Sequence, residues 1–249
     1  MSLAGKSAIV TGAGTGIGRA TAQLLAQRGA RVVAAGLQPD RLHETVDAIT
    51  SAGGEAIAVD ADVSDPQAIE QVASSAQHAF GGTDVLVNNA AVYPIGPWHE
   101  MGAEQWDAVF ATNIRGYFLM ARAVRPQMIA RGGGAVVNVS SVTFFTGNAL
   151  LLAYVASKGA VIGFTRALAR EAGADGIRAN AVAPGAFPTA ATEIHADQEG
   201  LWRDVLEGQS IKRRGEVEDV ARAIAFFASD DSSFVSGQTL LVDGGWMFA

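Results

Sequence analysis

Residues 7–30 read SAIVTGAGTGIGRATAQLLAQRGA, and this stretch decides the architecture of the chain. Ser7 to Val10 is a short apolar run closed by Thr11-Gly12, the pattern of a strand buried on both faces. Gly12 to Gly18 (GAGTGIG) follows, and RATAQLLAQRGA then reads as a helix. Strand, glycine-rich turn and helix in that order form a nucleotide-binding βα unit. Glycines let the backbone turn tightly and approach a pyrophosphate, whose charge the helix N-terminus stabilises. An ordinary βα turn also uses glycine, so the context carries the reading. The spacing is T-G-x-x-x-G-x-G; G-x-G-x-x-G is not met, because Ile17 stands three positions after Gly14.

The alternation continues. Further strands are expected at Arg31–Ala35, Glu55–Val59, Asp84–Val87, Ala135–Val139, Ile177–Val182 and Thr239–Val242, with helical segments between them. Asp65-Pro66 opens one helix, and a helical segment is expected from about Glu104 to Ala130. No repeat or linker interrupts the pattern. The expectation is one α/β domain over residues 1–249, a Rossmann-type doubly wound parallel sheet of about seven strands with helices on both faces. From Ala190 to Gly215 no strong period appears, which suggests a substrate lid at about residues 186–215.

Polar and small residues gather where strands end, the edge at which open α/β sheets bind ligands. Asp62 could accept from an adenine amino group, or simply terminate its strand together with Asp60. Asn88-Asn89-Ala90 ends the fourth strand and Ser140-Ser141 the fifth. Asn113 falls mid-helix, where an amide is disfavoured unless satisfied, by a structural hydrogen bond or as part of a polar chain. Tyr154 and Lys158 stand four residues apart, and Ser141 thirteen before the tyrosine. On a helix the phenol and ammonium share a face. A phenol near pKa 10 is a poor acid at neutral pH, and a neighbouring cation lowers that value.

Composition narrows the alternatives. The 249 residues are 49% hydrophobic and 17% charged, and the net charge of -7 disfavours nucleic acid or an anionic membrane as partner. The absence of cysteine removes disulfides and thiolate chemistry, and four scattered histidines show no metal-ligand spacing, so no metal is expected. The N-terminus lacks a secretory pattern and no apolar run approaches ~20 residues, so a cytoplasmic protein without a membrane span is expected.

From Lys6 to Gly245 the chain resembles the short-chain dehydrogenase/reductase (SDR) family, in its short single-domain branch. The resemblance rests on Thr11-Gly12-x-x-x-Gly16-x-Gly18, Asn88-Asn89-Ala90, Asn113, Ser141, Tyr154-x-x-x-Lys158, Pro184-Gly185 with Thr189, and Val242-Asp243-Gly244-Gly245. It implies an NAD(P)-dependent oxidoreductase acting on CH–OH groups. Tyr154 would be the acid in ketone reduction and the base in alcohol oxidation, and Ser141 would hold the substrate oxygen. Lys158 would depress the tyrosine's pKa and hold the nicotinamide ribose, while Asn113 would support a proton-relaying water. Gly12, Thr15, Gly16, Ile17 and Gly18 would surround the pyrophosphate and adenosine ribose. Asp62 and Val63 would flank the adenine, Asn89 would contact the adenosine side, and Phe187 and Thr189 would meet the nicotinamide carboxamide.

Two features depart from the family pattern. Gly36-Leu37-Gln38 replaces the acid that takes the ribose hydroxyls of NAD, and Thr15 and Leu37 stand where NADP-preferring relatives place cations. A 2′-phosphate without a cation is poorly compensated, so NAD(H) is favoured over NADP(H). Pro188 and the small Ala190-Ala191 alter the start of the lid. Tyr93, Val142, Phe144, Phe145, Leu150, Leu151, Phe187 and Trp202 are the expected pocket walls, suiting an uncharged, hydrophobic secondary alcohol or ketone. Glu193 and His195 could instead bind a polar group, as for a polyol or sugar. A homotetramer or homodimer is implied by the resemblance, with Trp246-Met247-Phe248 buried against a partner. The alternatives are a nucleotide-binding regulator, disfavoured by the four intact catalytic positions, and an epimerase or enoyl reductase, disfavoured by the motif spacings.

Overall fold

The computed structural model describes residues 2–189, 192 and 197–248. One parallel sheet organises them, in the order β3-β2-β1-β4-β5-β6-β7. Its strands are β1 (Ser7–Thr11), β2 (Arg31–Gly36), β3 (Glu55–Asp60), β4 (Val85–Asn88), β5 (Gly134–Val139), β6 (Ile177–Pro184) and β7 (Thr239–Val242). Parallel strands need crossovers, which place helices on both faces and leave the central strands without water on either side. Side chains of β1 therefore divide by alternation. Ala8 and Val10 join the core beneath α1 (Gly16–Gln27) and α2 (Pro39–Ser51), whereas Ile9 joins that beneath α3 (Pro66–Phe80).

The order reverses between β1 and β4, so the connections leaving these strands run in opposite directions. Such a switch point leaves a crevice at the strands' carboxyl ends. Here Thr11 ties the two edges together: its hydroxyl donates to the Val87 carbonyl and accepts the Asn89 and Ala90 N–H groups at 2.9 and 3.1 Å.

Two helical expectations change. The segment Glu104–Ala130 is not one α-helix: α4 (Ala103–Phe110) passes into a π-helical turn at Ala111–Arg115 before α5 (Gly116–Ala130). The widened turn holds Asn113, whose buried amide is satisfied by partners outside its own helix, Val92 and Ser157. Gly116 starts α5 because a Cβ there would come 2.6 Å from the Val63 carbonyl oxygen. Downstream, after α6 (Thr143–Thr146) and α7 (Leu152–Ala172), the supposedly aperiodic lid contains a helix, α8 (Gln198–Gly208). Asp197 caps it by accepting the Gly200 N–H at 2.8 Å, and Gly200, Trp202 and Val205 are its buried residues. Its spacing was obscured by the polar residues between them. A further helix, α9 (Val217–Ala228), has a reciprocal Glu216–Asp219 capping box and covers β5 and β6. No helix among the described residues is long and apolar enough to cross a membrane.

Candidate active site

The carboxyl ends of β1, β4, β5 and β6 open into one cleft of about 570 Å³. Its floor at β1 is the glycine turn. A Cβ on Gly18 would lie 2.0 Å from the Gly12 carbonyl oxygen, and one on Gly12 2.9 Å from Asn89 Nδ2. Gly16 takes φ +51°, a left-handed value that favours glycine, with Thr189 Cγ2 3.3 Å from its would-be Cβ. Thr15 caps α1 without a side-chain bond and the first turn holds no acid, so the helix N-terminus remains available to an anion. These features fit a dinucleotide pyrophosphate. Asn89 Nδ2 donates to the Thr11 and Gly12 carbonyls at 3.0 and 3.3 Å, and so holds the turn against β4.

The wall at β5 and α7 carries the candidate catalytic residues. Ser141, Tyr154 and Lys158 all face the cleft. Tyr154 is half-buried there, and burial pushes its phenol up to about 12. A hydrogen bond with Ser141 pulls it back down, and the nearby Tyr93 hydroxyl pushes it up. The Tyr93 ring meets Tyr154 edge-on at 6.0 Å. Lys158 lies beneath, 1% exposed, with Nζ 2.7 Å from the Val139 carbonyl oxygen and 3.4 Å from the Tyr117 hydroxyl. Its Nζ stands 5.5 Å from the centre of the Tyr154 ring. Burial lowers Lys158 to about 7, so near neutral pH the site holds a partly charged ammonium beside a neutral phenol.

That lowered pKa has a consequence for stability. The unfolded chain keeps the proton to its usual 10.5, the folded protein only to about 7. Between those values the unfolded state binds more protons, so stability rises with pH; below pH ~7 the full cost of the buried ammonium is present. Lys158→Met is expected to stabilise the protein by about 3 kcal/mol at pH ~6.5 and to flatten the rise toward pH ~9.5, as read by urea denaturation at both values.

Asn113 stands behind this wall rather than in the cleft. Its Oδ1 accepts the Val92 N–H at 2.8 Å, and Nδ2 donates to the Val92 carbonyl at 2.9 Å and Ser157 Oγ at 3.0 Å. Ser157 in turn donates to the Tyr154 carbonyl at 2.7 Å, so the amide fixes the helix that carries the tyrosine.

Among the cofactor candidates, Gly12, Thr15, Gly16, Ile17, Gly18, Asn89, Tyr154, Lys158, Phe187 and Thr189 line the cleft, whereas Asp62 and Val63 do not. Asp62 Oδ1 accepts the Ser64 N–H at 2.8 Å, shaping the turn after β3, and Val63 is 5% exposed against Gly116. Of the expected substrate walls, Tyr93, Val142, Leu150, Leu151 and Phe187 are present. Phe144 instead packs over Gly159 on α7, and Phe145 meets the Phe144 ring at 5.1 Å. Trp202 points away, its ring under the Arg214 guanidinium at 4.8 Å, because adjacent residues of α8 leave different faces; Leu201 faces the cleft. Glu193 and His195 lie outside the described residues.

Sequence reading missed several residues. Trp246, assigned to a partner contact, lines the cleft and packs on Gly208, while Phe248 is 85% exposed. Tyr117 and Thr143 touch the candidate catalytic residues Lys158 and Ser141; their only sequence signals are a position one turn after Asn113 and a hydroxyl two residues after Ser141. Leu150 adopts φ 65°, a strained value for a non-glycine residue, and its carbonyl accepts the Gly96 N–H at 3.0 Å.

A doubly wound sheet with a glycine cradle and a serine–tyrosine–lysine wall defines a nicotinamide-dependent oxidoreductase. The chain belongs to the short-chain dehydrogenase/reductase family: residues 12–247 match the family model described as enoyl-(acyl carrier protein) reductase. It is 39% identical over 242 residues to the 3-oxoacyl-[acyl-carrier-protein] reductase of Staphylococcus epidermidis, covering 96% of this chain and 98% of that one. A solved structure from Sinorhizobium meliloti, assigned to the short-chain alcohol dehydrogenases, superimposes with TM-score 0.94 at 37% identity, covering 98% of this chain and 97% of that one. Levodione reductase superimposes with TM-score 0.91 at 33% identity, covering 97% of each chain. The protein is therefore an NAD(P)-dependent SDR oxidoreductase acting on CH–OH groups.

Proposed function

We propose that the enzyme interconverts an uncharged, hydrophobic secondary alcohol and its ketone, with NAD(H) preferred. The observation that carries the substrate class is the cleft lining: among the described residues it includes Lys158 but no arginine, aspartate or glutamate. Tyr93, Ile95, Leu150, Leu201 and Trp246 present apolar surface instead, which rewards an apolar substrate and penalises a desolvated charge. Both compared reductases take carbonyl compounds by their names, which agrees with this reading.

The bound nicotinamide would supply or accept the hydride. The chain's own residues handle orientation and the proton. Gly12, Thr15, Gly16, Ile17 and Gly18 would receive the pyrophosphate, with Phe187 and Thr189 at the nicotinamide end and Asp62 and Val63 toward the adenine. Ser141 holds the substrate oxygen. Tyr154 gives its proton to that oxygen in reduction and takes it back in oxidation. Lys158, when protonated, favours the tyrosinate and holds the ribose, and the backbone around Asn113 supports the water that reconnects it to solvent. Residues 186–215 act as the lid, in a single domain.

NAD(H) preference is supported by the state of the nearby arginines. Arg19 Nε donates to the Gly14 carbonyl at 2.8 Å, and Glu44 pairs with Arg19 at 2.7 Å and Arg41 at 3.1 Å. A 2′-phosphate would have to compete with Glu44 for both guanidinium groups. Fluorescence titration is expected to give a Kd for NADH about 10-fold below that for NADPH; tighter NADPH binding overturns the preference. The working form is a cytoplasmic homotetramer or homodimer, which light scattering tests by mass.

A further inference from the structure

We propose that Thr143 is a positioning residue that fixes Ser141 as a hydrogen-bond donor toward the reacting oxygen. The inference rests on reading Ser141, Tyr154 and Lys158 as the reaction centre. A serine hydroxyl has one proton to give and two lone pairs to receive. At Ser141 a single neighbour takes both lone pairs: the Thr143 N–H donates to Oγ at 3.1 Å, and the Thr143 hydroxyl at 2.9 Å. Ser141 is the one side chain among the described residues to which the Thr143 hydroxyl bonds. With its acceptor capacity filled, Ser141 can only donate, and it does so from the wall of the cleft that Tyr154 also lines.

The direction of this chain matters for proton transfer. A donor into the phenol oxygen favours tyrosinate. It also denies Tyr154 an acceptor in Ser141, so the tyrosine's proton stays free for the substrate oxygen. In reduction that proton passes from Tyr154 to the carbonyl oxygen, while Ser141 keeps its own proton and holds the same oxygen by donating to it. Without the Thr143 hydroxyl, one Ser141 lone pair opens and the tyrosine can donate into it, which places its proton in an unproductive bond.

The test compares Thr143→Val, which keeps shape and backbone N–H, with Thr143→Ser, which restores the hydroxyl. Thr143→Val is expected to lower kcat about 10-fold with KM nearly unchanged, and to move the tyrosine limb of the kcat/KM pH profile up by about 0.5–1 unit. Thr143→Ser is expected to return both to within about 2-fold of wild type. A Thr143→Val profile that superimposes on wild type overturns the proposal, as does a Thr143→Ser variant that behaves like Thr143→Val. Ser141→Ala separates this from failure of the underlying reading. If that variant keeps wild-type activity, Ser141 is not in the reaction centre, whatever Thr143 does.

Discussion

Gly18→Ala is expected to cost roughly 3–5 kcal/mol of stability, lower Tm by about 10 °C and weaken dinucleotide binding at least ~100-fold. The reason is steric and local. The added carbon would sit 2.0 Å from the Gly12 carbonyl oxygen, 2.7 Å from the Gly12 carbonyl carbon and 2.7 Å from Asn89 Nδ2. Two of these three atoms are backbone, so no side-chain rotation relieves the clash. Gly12 must move, and its left-handed φ of 65° leaves little freedom. Displacing it breaks the Asn89 bonds that tie the turn to β4 at the switch point. Thermal melts read the stability loss and quenching of intrinsic tryptophan fluorescence reads the binding. A variant that melts and binds like wild type would mean that the turn is not the close-packed cradle described.

Tyr154→Phe is expected to lower kcat by about 10³-fold while Kd for the dinucleotide changes less than about 3-fold. The substitution removes one hydroxyl and keeps the ring that Tyr93 meets edge-on. The lost hydroxyl shares the cleft with Ser141, which would then face the substrate oxygen alone and could hold it without supplying a proton. At neutral pH the phenol is protonated in both the folded and the unfolded state, so its raised pKa contributes nothing to stability there and the melting temperature should change little. An unfolded variant would be uninformative about catalysis, so the melting curve accompanies the kinetics.

Most of the fold was legible because its signals are local. A buried strand, a glycine turn and a helix N-terminus occupy consecutive residues from Ser7 to Ala26, and the same grammar repeats down the chain. That the candidate catalytic residues would come together was legible through fixed spacings: Tyr154 and Lys158 share α7, and Ser141 follows shortly after β5. What escaped depends on long-range packing. The turn at Asn113 is π-helical because Val92 and Ser157, distant in sequence, meet its amide there. Trp246 reaches the cleft because Gly208 leaves room for its indole, a pairing invisible before the two segments meet. Phe144 and Trp202 were placed in the pocket by hydrophobicity alone, and packing over Gly159 and under Arg214 claimed them instead. The Tyr154–Lys158 spacing placed the ammonium correctly, yet it gave no hint that Val139 and Tyr117 would hold it or that burial would bring it down to about 7.

The central claim is that this one cleft moves a hydride to or from an apolar CH–OH carbon with Tyr154 handling the proton. Absorbance at 340 nm tests it most directly, with wild type and Tyr154→Phe run side by side against a panel of uncharged ketones and their alcohols, with NADH or NAD as each direction requires. Wild type should oxidise NADH with at least one hydrophobic ketone, forming one alcohol per cofactor consumed, and Tyr154→Phe should bind cofactor yet turn over about 10³-fold more slowly. A Tyr154→Phe variant as active as wild type would contradict the account.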